Sequence, residues 1–187
     1  MKATDEGRGP EALPPVVCIV GRKDSGKTTT AVRLVAELSG RGHRVMTAKH
    51  GHGFELDTPG TDSYRHRHEG GAGRVALVGP EAMAVMGRWG PAGEPPLADV
   101  VARFLADAEI VVAEGWKGGP EPKVEVHRSG RHADPIYVGG PPNAASFLAV
   151  VSDREDLALD VPVLPLGAPD LPCLLADLVE RALLPGR

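Results

Sequence analysis

The sequence has few aromatic residues, little net charge and no long apolar run. Aromatic residues make up 4% of the 187 residues, too few for the stacking platforms of proteins that bind single-stranded nucleic acid. The net charge is −4 and no basic stripe is present, which disfavours a dedicated nucleic-acid-binding protein. The longest apolar runs, Val16–Val20 and Phe147–Val151, fall far short of the roughly 18 residues that a membrane-spanning helix needs. We therefore expect neither nucleic acid nor a membrane as a partner.

Cysteine is also scarce, and the first residues do not resemble a secretory signal. Cys18 and Cys173 are far apart, and each stands among apolar residues, which predicts buried, reduced thiols. Asp5 and Glu6 stand where a signal peptide would carry an apolar segment. Both observations favour a cytoplasmic location.

The length of the chain predicts one domain with a sizeable core. Residues 1–15 are polar, contain glycine and proline and show no periodicity, which is typical of a flexible N-terminal tail. A single folded domain is expected over residues 16–187. The 24 glycines and 18 prolines of the chain predict many turns but do not reach the proportion of a low-complexity sequence.

Apolar runs and helical periodicity alternate along the chain. Val16–Val20 is a continuous apolar run before Gly21, which is typical of a strand buried on both faces of a parallel sheet. Apolar residues at helical spacing predict a helix over Lys27–Arg41. Further strands are predicted at Val45–Ala48, Ile110–Ala113, Val124–Val126, Phe147–Val151 and Val161–Leu166, a hairpin at Val75–Val78 with Ala82–Met86, and helices at Asp62–Glu69, Leu97–Phe104 and Leu171–Ala182. This order predicts an α/β fold class, a three-layer domain with a mainly parallel sheet and an antiparallel hairpin.

Prolines and aspartates refine the positions of some elements. Pro162 and Pro165 have no N–H to donate, so the last strand is expected at an edge of the sheet. Asp62 and Asp170 stand at the starts of predicted helices, where an aspartate side chain is expected to cap the free N–H groups.

The segment Gly-Arg-Lys-Asp-Ser-Gly-Lys-Thr at Gly21–Thr28 matches the phosphate-loop pattern G-x-x-x-x-G-K-[ST]. Glycines let the backbone N–H groups turn toward phosphate oxygens, and the following helix adds the positive end of its dipole. Lys27 is expected to reach the β- and γ-phosphates, and the Thr28 hydroxyl to ligate Mg²⁺. A P-loop NTPase-type domain is therefore predicted. Its nucleotide-binding residues here are Gly21, Lys23, Asp24, Ser25, Gly26, Lys27, Thr28 and Thr29.

A phosphate loop needs an acidic group near its metal ion, normally at the end of another buried strand. The segment Ile110–Gly115 supplies Glu114 at the end of such a strand. Glu114 is predicted to hold Mg²⁺ through a water molecule and to be catalytic together with Lys27. An aspartate is more usual at this position, and the longer glutamate also suits the activation of a water molecule. The alternative is a solvated carboxylate just beyond a strand.

The segment from Lys49 to Arg65 is dense in polar side chains and directly follows the second predicted strand. It is therefore expected at the carboxyl edge of the sheet, beside the phosphate loop. We expect a nucleotide-binding or ligand-binding switch segment, in which Asp57 or Asp62 helps to position Mg²⁺. Its cations are then expected to face anionic groups; they are Lys49, His50 and Arg65. A transition-metal site built on His50 and His52, or on His66 and His68, and a solvated loop are the alternatives.

Three segments carry a resemblance to a known family. They are KHGHGFELDTPGTDSYRHR after the second strand, IVVAEGWKGGPEPKVEV around Glu114, and FLAVVSD at Phe147–Asp153. With the phosphate loop, they resemble the molybdopterin-guanine dinucleotide biosynthesis protein B family (MobB). The resemblance runs from about Val16 to Asp153, and the first two of these segments are far more specific than the phosphate loop alone.

The resemblance implies a dimeric GTP-binding protein of P-loop GTPase-like fold with weak GTPase activity and Mg²⁺ as cofactor. It implies an accessory role in attaching GMP to molybdopterin or in delivering the cofactor. The implied partners are molybdopterin or its guanine dinucleotide, and the molybdopterin guanylyltransferase. Phosphate and Mg²⁺ roles carry over to Gly21–Thr29 and Glu114. Other residues that match family positions are Lys49, His50, Asp57, Asp62, Ser63, Arg65, Lys117, Lys123 and Glu125.

Recognition of the base is the least determined part of the site. The guanine motif N-K-x-D is absent from the sequence. Asp153 follows a strand at the right edge, and its carboxylate is a candidate acceptor for the N1–H and N2–H groups of guanine; a turn or capping role is the alternative. Three aromatic residues are candidates either for stacking on a base or pterin or for packing within the fold; they are Tyr64, Trp89 and Trp116.

Three functions compete on the sequence alone. A GTP-binding accessory protein with slow hydrolysis leads, because the sequence offers no separate catalytic base beyond Glu114 and no clear arginine finger. A non-hydrolysing carrier would hold the cofactor's own phosphate in the loop. An ATP-dependent small-molecule kinase would use the Arg65–His68 run as part of a lid. Whether the chain is an enzyme is left open, and a slow P-loop GTPase is the form expected.

Overall fold

The computed structural model describes residues 13–51, 53, 57–141 and 143–185. Most of the predicted tail, residues 1–12, and His52 of the proposed metal pair lie outside the described residues. The chain divides into two compact units, one formed by the residues up to His50 and from Leu97 onward, the other by Gly51–Pro96. The prediction of a single domain over residues 16–187 stays a prediction.

Strands and helices alternate much as the sequence predicts. In chain order the elements are β1 (Val16–Val20), α1 (Lys27–Gly40), β2 (Val45–Lys49), α2 (Asp62–His68), β3 (Arg74–Val78), β4 (Met83–Gly87), α3 (Leu97–Phe104), β5 (Ile110–Glu114), β6 (Lys123–His127), β7 (Phe147–Ser152), β8 (Val163–Pro165) and α4 (Leu171–Leu183). Two short 3₁₀ turns, Tyr137–Gly139 and Ala144–Ser146, lie between β6 and β7. Among the described residues, no helix combines the length and apolar character needed to cross a bilayer.

The first unit is built on a six-stranded sheet with the order β2-β5-β1-β6-β7-β8. Each recorded pairing of neighbouring strands is parallel. The central strands β1 and β5 are apolar on both faces because helices cover both. Val17 and Ile19 pack with leucines of α1 and α4 on one face, whereas Cys18 and Val20 pack with α3 on the other. The predicted three-layer α/β architecture is confirmed.

The parallel arrangement brings the carboxyl ends of the strands to one edge of the sheet. The loops after β1, β2, β5, β6 and β7 all start there. Strand β8 lies at the end of the sheet and, within the described residues, pairs only with β7, as Pro162 and Pro165 predict. It is shorter than predicted, because Pro162 contributes only its carbonyl, which accepts a hydrogen bond from the Val150 N–H.

The second unit contains α2 and the hairpin of β3 and β4. The strands are antiparallel, with Val78 opposite Met83 and Arg74 opposite Gly87, so the predicted hairpin is confirmed. The predicted cap of α2 is wrong by one residue. Thr61 has the extended backbone of a cap, and its hydroxyl accepts the Tyr64 N–H, because Asp62 is already the first helical residue.

Two further predictions in the first unit need correction. Cys18 is buried, but Cys173 is exposed, because α4 turns its Leu171 and Leu175 face to the core and Cys173 lies between them in sequence. Burial raises the pKa of the Cys18 thiol to about 12. Asp170 stands at the cap position of α4 but makes no side-chain capping bond; its backbone carbonyl accepts the Leu174 N–H.

Candidate functional site

The phosphate loop joins β1 to α1 with a backbone that its residues allow. Gly21 has φ +148°, and a β-carbon there would collide with the carbonyl oxygen of Val126 on the neighbouring strand β6. Gly26, at the cap of α1, has φ +101°, which favours glycine. The loop therefore ends directly at the N-terminus of a 14-residue helix, where free N–H groups and the helix dipole favour an anion.

Two polar groups of this loop fit a phosphate ligand. The hydroxyl of Ser25 is buried at 1% exposure and has no hydrogen-bond partner among the described residues, a costly arrangement that a bound anion would relieve. The ammonium group of Lys27 donates to the Arg22 carbonyl at 2.7 Å and so closes over the loop. Burial is the main cause that lowers the pKa of Lys27, and the nearby Glu114 carboxylate opposes it.

Three of the predicted side chains meet beside this loop, each from a different element. Thr28 Oγ1 lies 3.0 Å from both carboxylate oxygens of Glu114. Lys49 Nζ lies 3.3 Å from the same carboxylate and 3.4 Å from Thr28 Oγ1. Glu114 and Lys49 end neighbouring parallel strands at the same register position. A hydroxyl and a carboxylate are the hard oxygen donors that Mg²⁺ prefers, so this group fits the ion that a phosphate loop requires.

His50 and Trp116 lie directly next to this group. The His50 N–H donates to the carbonyl of Glu114 at 2.9 Å, and the His50 ring lies 5.3 Å from the Trp116 ring at a tilted angle. Trp116 has φ +52°, an uncommon conformation for a bulky residue. One side of Trp116 is thus engaged by His50, and its proposed stacking on a base or pterin stays a prediction.

Asp153 follows β7 at the same edge of the sheet. Its Oδ1 accepts the Ser129 N–H at 2.7 Å, and this backbone hydrogen bond is the main cause that lowers the pKa of Asp153. The carboxylate borders a cavity of about 670 Å³ that is also lined by Leu157, Leu166 and Gly167. This contact joins Asp153 to the loop after β6, 24 residues earlier in the chain, and the cavity leaves room for a ligand beside the same side chain. The proposed role of Asp153 in binding guanine stays a prediction.

Lys49 and His50 belong to the first unit, whereas Asp57, Asp62 and Arg65, the other residues predicted in the Lys49–Arg65 segment, lie in the second unit. Asp57 Oδ1 accepts hydrogen bonds from the Thr58 N–H at 3.1 Å and from the Thr61 and Ser63 hydroxyls at 3.0 and 2.9 Å. This carboxylate therefore organises the turn that leads into α2. Arg65 forms an ion pair with Glu69, the residue directly after α2. In the second unit Tyr64 stacks on His68 at 4.1 Å between ring centroids, while Trp89 is exposed.

Strand β6 carries buried polar residues that form hydrogen bonds to neighbouring loops. Lys123 Nζ donates to the carbonyls of Gly119 and Glu121, both at 2.6 Å, and to the Ser146 hydroxyl at 3.0 Å. The Glu125 carboxylate accepts the N–H groups of residues 136 and 137 at 2.6 and 2.9 Å. Lys123 and Glu125 thus hold loops in place.

The loop after β6 also contacts the phosphate loop, which the sequence did not predict. His127 is buried in that strand; its Nδ1 is hydrogen-bonded to the Ser152 hydroxyl at 2.9 Å, and its Nε2 donates to the His132 carbonyl at 2.8 Å. His132 Nε2 then donates to the Lys23 carbonyl in the phosphate loop at 3.0 Å. No local sequence pattern predicts this hydrogen bond, because 109 residues separate its two partners.

Comparison with known families decides where the chain belongs. The family model described as Molybdopterin guanine dinucleotide synthesis protein B, or MobB, matches residues 16–153. The chain belongs to the MobB family. The resemblance seen in the sequence is thereby confirmed.

Individual MobB proteins resemble this chain over much of its length. A molybdopterin-guanine dinucleotide biosynthesis adapter protein of Haemophilus influenzae is 38% identical over 116 residues, which is 61% of this chain and 64% of that protein. The matched part is thus less than two thirds of this relative. The adapter protein of the same description from Escherichia coli is 27% identical over 161 residues, 79% of this chain and 91% of that protein.

Solved MobB structures have the same fold. A MobB homolog from Bacillus stearothermophilus superposes with a TM-score of 0.64 at 28% identity and covers 87% of this chain and 97% of its own. A structure described as molybdopterin-guanine biosynthesis protein B gives a TM-score of 0.69 at 23% identity, with 90% of this chain and 99% of that chain covered. The second likeness concerns the fold alone.

Proposed function

We propose that this chain binds GTP with Mg²⁺ at its phosphate loop and serves as an adapter protein in molybdopterin guanine dinucleotide biosynthesis, with slow GTP hydrolysis. The observation that carries this proposal is the meeting of Thr28, Lys49 and Glu114 at the first turn of α1. A glycine-rich turn without a ligand has no need of a hydroxyl, a carboxylate and an ammonium group gathered at its end.

Each residue has a distinct task in this proposal. The loop N–H groups bind the phosphates, and Lys27 moves from the Arg22 carbonyl to the β- and γ-phosphates. Thr28 and Glu114 would hold Mg²⁺. When bound, the ion supplies positive charge that offsets the negative charge of the phosphate oxygens. Lys49 and His50 face the terminal phosphate. Lys23, Asp24 and Thr29 complete the binding loop, and Asp57, Asp62 and Arg65 belong to a switch segment.

Slow turnover follows from the composition of this group. Glu114 is its sole carboxylate among the described residues within hydrogen-bond distance of Thr28 and Lys49. Fast phosphoryl transfer uses both a group that positions the attacking water and a cation that stabilises the transition state, which a partner protein often supplies. We infer that a partner completes the site, and the molybdopterin guanylyltransferase of the pathway is the partner proposed.

The adapter role rests on the MobB relatives, two of which are described as molybdopterin-guanine dinucleotide biosynthesis adapter proteins. Molybdopterin or its guanine dinucleotide is the proposed small-molecule partner, and a homodimer is the proposed assembly. Asp153 is the proposed guanine-binding residue, supported by its place beside a cavity of about 670 Å³.

Calorimetric titration of GTP, ATP and GDP with Mg²⁺ tests this function. Wild type and Lys27→Ala are compared, and Arg103→Ala serves as the control because Arg103 is an exposed cation on α3, outside the loop. We expect preferential GTP binding that Lys27→Ala reduces by about a hundredfold or more, since a charged donor to phosphate is lost. Equal GTP affinity in Lys27→Ala and wild type would contradict the phosphate-loop assignment.

Base selection is read from the same titrations. Asp153→Asn is expected to weaken GTP binding more than ATP binding. An amide has one acceptor oxygen, whereas the N1–H and N2–H groups of guanine require two. An equal loss for both nucleotides would move base recognition away from Asp153. Preference for ATP in the wild type would favour a kinase, and absence of any nucleotide binding would favour a carrier of the cofactor's own phosphate.

A further inference from the structure

A small cavity lies beside the first turn of α1, next to the residues assigned above. Its volume is about 150 Å³, and it is lined by Gly26 and Thr29 of that turn, by Arg33 and Arg128, and by apolar residues that include Leu166. Leu166 also lines the larger cavity beside Asp153. The small cavity therefore lies between the phosphate loop and the proposed base site.

The size of this cavity limits what it can hold. Pockets that enclose whole small-molecule ligands have volumes of about 300–1,000 Å³. A cavity of about 150 Å³ is suited to one fragment of a ligand. Its position between the phosphate and base sites makes the phosphate next to the sugar the fragment that fits.

The charge of the cavity is positive and unbalanced. Arg33 and Arg128 both border it, and no aspartate or glutamate is among its lining residues. The guanidinium of Arg128 makes no hydrogen bond or ion pair within the described part of the chain. Its Nη2 atom lies 3.8 Å from the place that a β-carbon would take on Gly26. An unpaired guanidinium this close to a helix N-terminus is an anion-binding arrangement.

The loop that carries Arg128 is fixed on both sides. Directly after it, the Ser129 N–H donates to Asp153 Oδ1 at 2.7 Å. Further along, His132 Nε2 donates to the Lys23 carbonyl at 3.0 Å, and Arg154 Nη1 donates to the Ala133 carbonyl at 3.0 Å. A side chain on an anchored loop loses less conformational freedom when it binds a ligand. The anchors thus hold Arg128 beside the phosphate loop before a nucleotide arrives.

We propose that Arg128 is a nucleotide-binding residue whose guanidinium donates hydrogen bonds to the α-phosphate, with Arg33 adding positive charge. The inference rests on the proposed nucleotide-binding function and extends it to a residue outside the phosphate loop. The loop N–H groups cradle the α- and β-phosphates and Lys27 reaches the β- and γ-phosphates, so Arg128 adds a charged side-chain donor on the sugar side of the loop, where the small cavity lies. Asp153 is then also the positioning residue of the Arg128 loop.

Binding of GTP, GDP and GMP with Mg²⁺ tests this proposal, with GMP measured by competition against fluorescent GDP. Arg128→Gln removes the charge, Arg128→Lys keeps it without the bidentate geometry, and Arg131→Gln is the matched control in the same exposed loop. We expect Arg128→Gln to weaken all three nucleotides by the same factor of about ten, because all three carry the α-phosphate. The nucleotide affinities of Arg128→Lys are expected to lie between those of wild type and Arg128→Gln. Those of Arg131→Gln are expected to stay within about twofold of wild type.

Several results would overturn the proposal. Equal affinities of Arg128→Gln and Arg131→Gln remove Arg128 from the site, and a loss confined to GTP assigns it to the γ-phosphate. If Lys27→Ala loses nucleotide and Arg128→Gln does not, this inference fails while the proposed function stands. If the wild type binds none of the three nucleotides, the proposed function and this inference fail together. Equal thermal unfolding of the variants excludes misfolding as the cause of a loss.

Discussion

Glu114 faces a hydroxyl and an ammonium group at the same time. Both its oxygens lie 3.0 Å from Thr28 Oγ1, and Lys49 Nζ is 3.3 Å away. Glutamine keeps the shape of this side chain but removes its charge and its capacity to take a proton from water. We expect Glu114→Gln to bind GTP within a fewfold of wild type while hydrolysis slows by about a hundredfold, the contribution of a positioned base.

The measurement is single-turnover release of phosphate from GTP at saturating Mg²⁺. Glu81→Gln is the control, since Glu81 is an exposed glutamate in the hairpin turn. Turnover that is unchanged in Glu114→Gln removes Glu114 from the mechanism. Loss of GTP affinity in the same variant would instead assign it to binding.

Single residues were predictable where the chemistry is local in sequence. Thr28 and Glu114 were predicted because one stands in a motif and the other at the end of an apolar run, and the sheet brings them together. Lys123 and Glu125 show the opposite case. The alternation of charged and apolar residues in β6 resembles a strand with one solvated face, yet both side chains are buried, because their partners are backbone groups that only the folded loops supply.

At the scale of elements, a group of ion pairs joins the end of α1 to α4. Arg41 contacts Glu37 at 2.9 Å, Asp177 at 2.6 Å and Glu180 at 2.8 Å. His43 Nε2 donates to Glu180 at 2.7 Å. The hydrogen bond from His43 is the main cause that lowers the pKa of Glu180 below its usual 4.5, and Arg41 adds to it. These contacts lie on the side of the sheet where α1 and α4 share one apolar core.

The sign of the resulting pH dependence follows from this shift. A carboxylate whose pKa is lower in the folded state stabilises the fold above pH 4.5 and loses this contribution as the pH falls through the folded pKa. We expect Glu180→Gln to lower the unfolding free energy at pH 7 by about 1 kcal/mol and to flatten the loss of stability below pH 4.5. Denaturant unfolding at pH 7 and pH 3 measures both. Glu155→Gln, an exposed carboxylate, is the control, and a parallel decline of Glu180→Gln and wild type would contradict the prediction.

Elements were predictable where packing and local pattern agree. The apolar faces of α1 and α4 repeat at helical spacing because each covers one side of the sheet, and Pro162 identified the edge strand. The loop after β6 has no such pattern. Its structure depends on His127, Asp153 and Arg154, residues of two neighbouring strands and their ends, so the local sequence does not specify it.

At the scale of the whole molecule, the hairpin of the second unit presents an unusual apolar face. Val78 and Met83 stand opposite each other and are 82% and 73% exposed, and Val85 on the same face is 42% exposed. A two-stranded sheet is marginally stable by itself, and its outer edges are open to pairing with another chain. Exposed apolar side chains grouped on one face favour protein association. The proposed homodimer is therefore expected to form through this hairpin.

Charged residues on this face provide the test. We expect Val78→Lys and Met83→Lys to shift the protein from dimer to monomer in sedimentation velocity, because each buries a charge at the interface. Val32→Lys is the matched control, since Val32 is 62% exposed on α1 and stands apart from the hairpin in the chain. GTP titration of the same samples verifies that the phosphate loop is intact. If both hairpin variants keep the molar mass of a wild-type dimer, the interface lies elsewhere. A wild-type protein that is monomeric at micromolar concentration contradicts the homodimer itself and leaves the apolar face for another protein of the pathway.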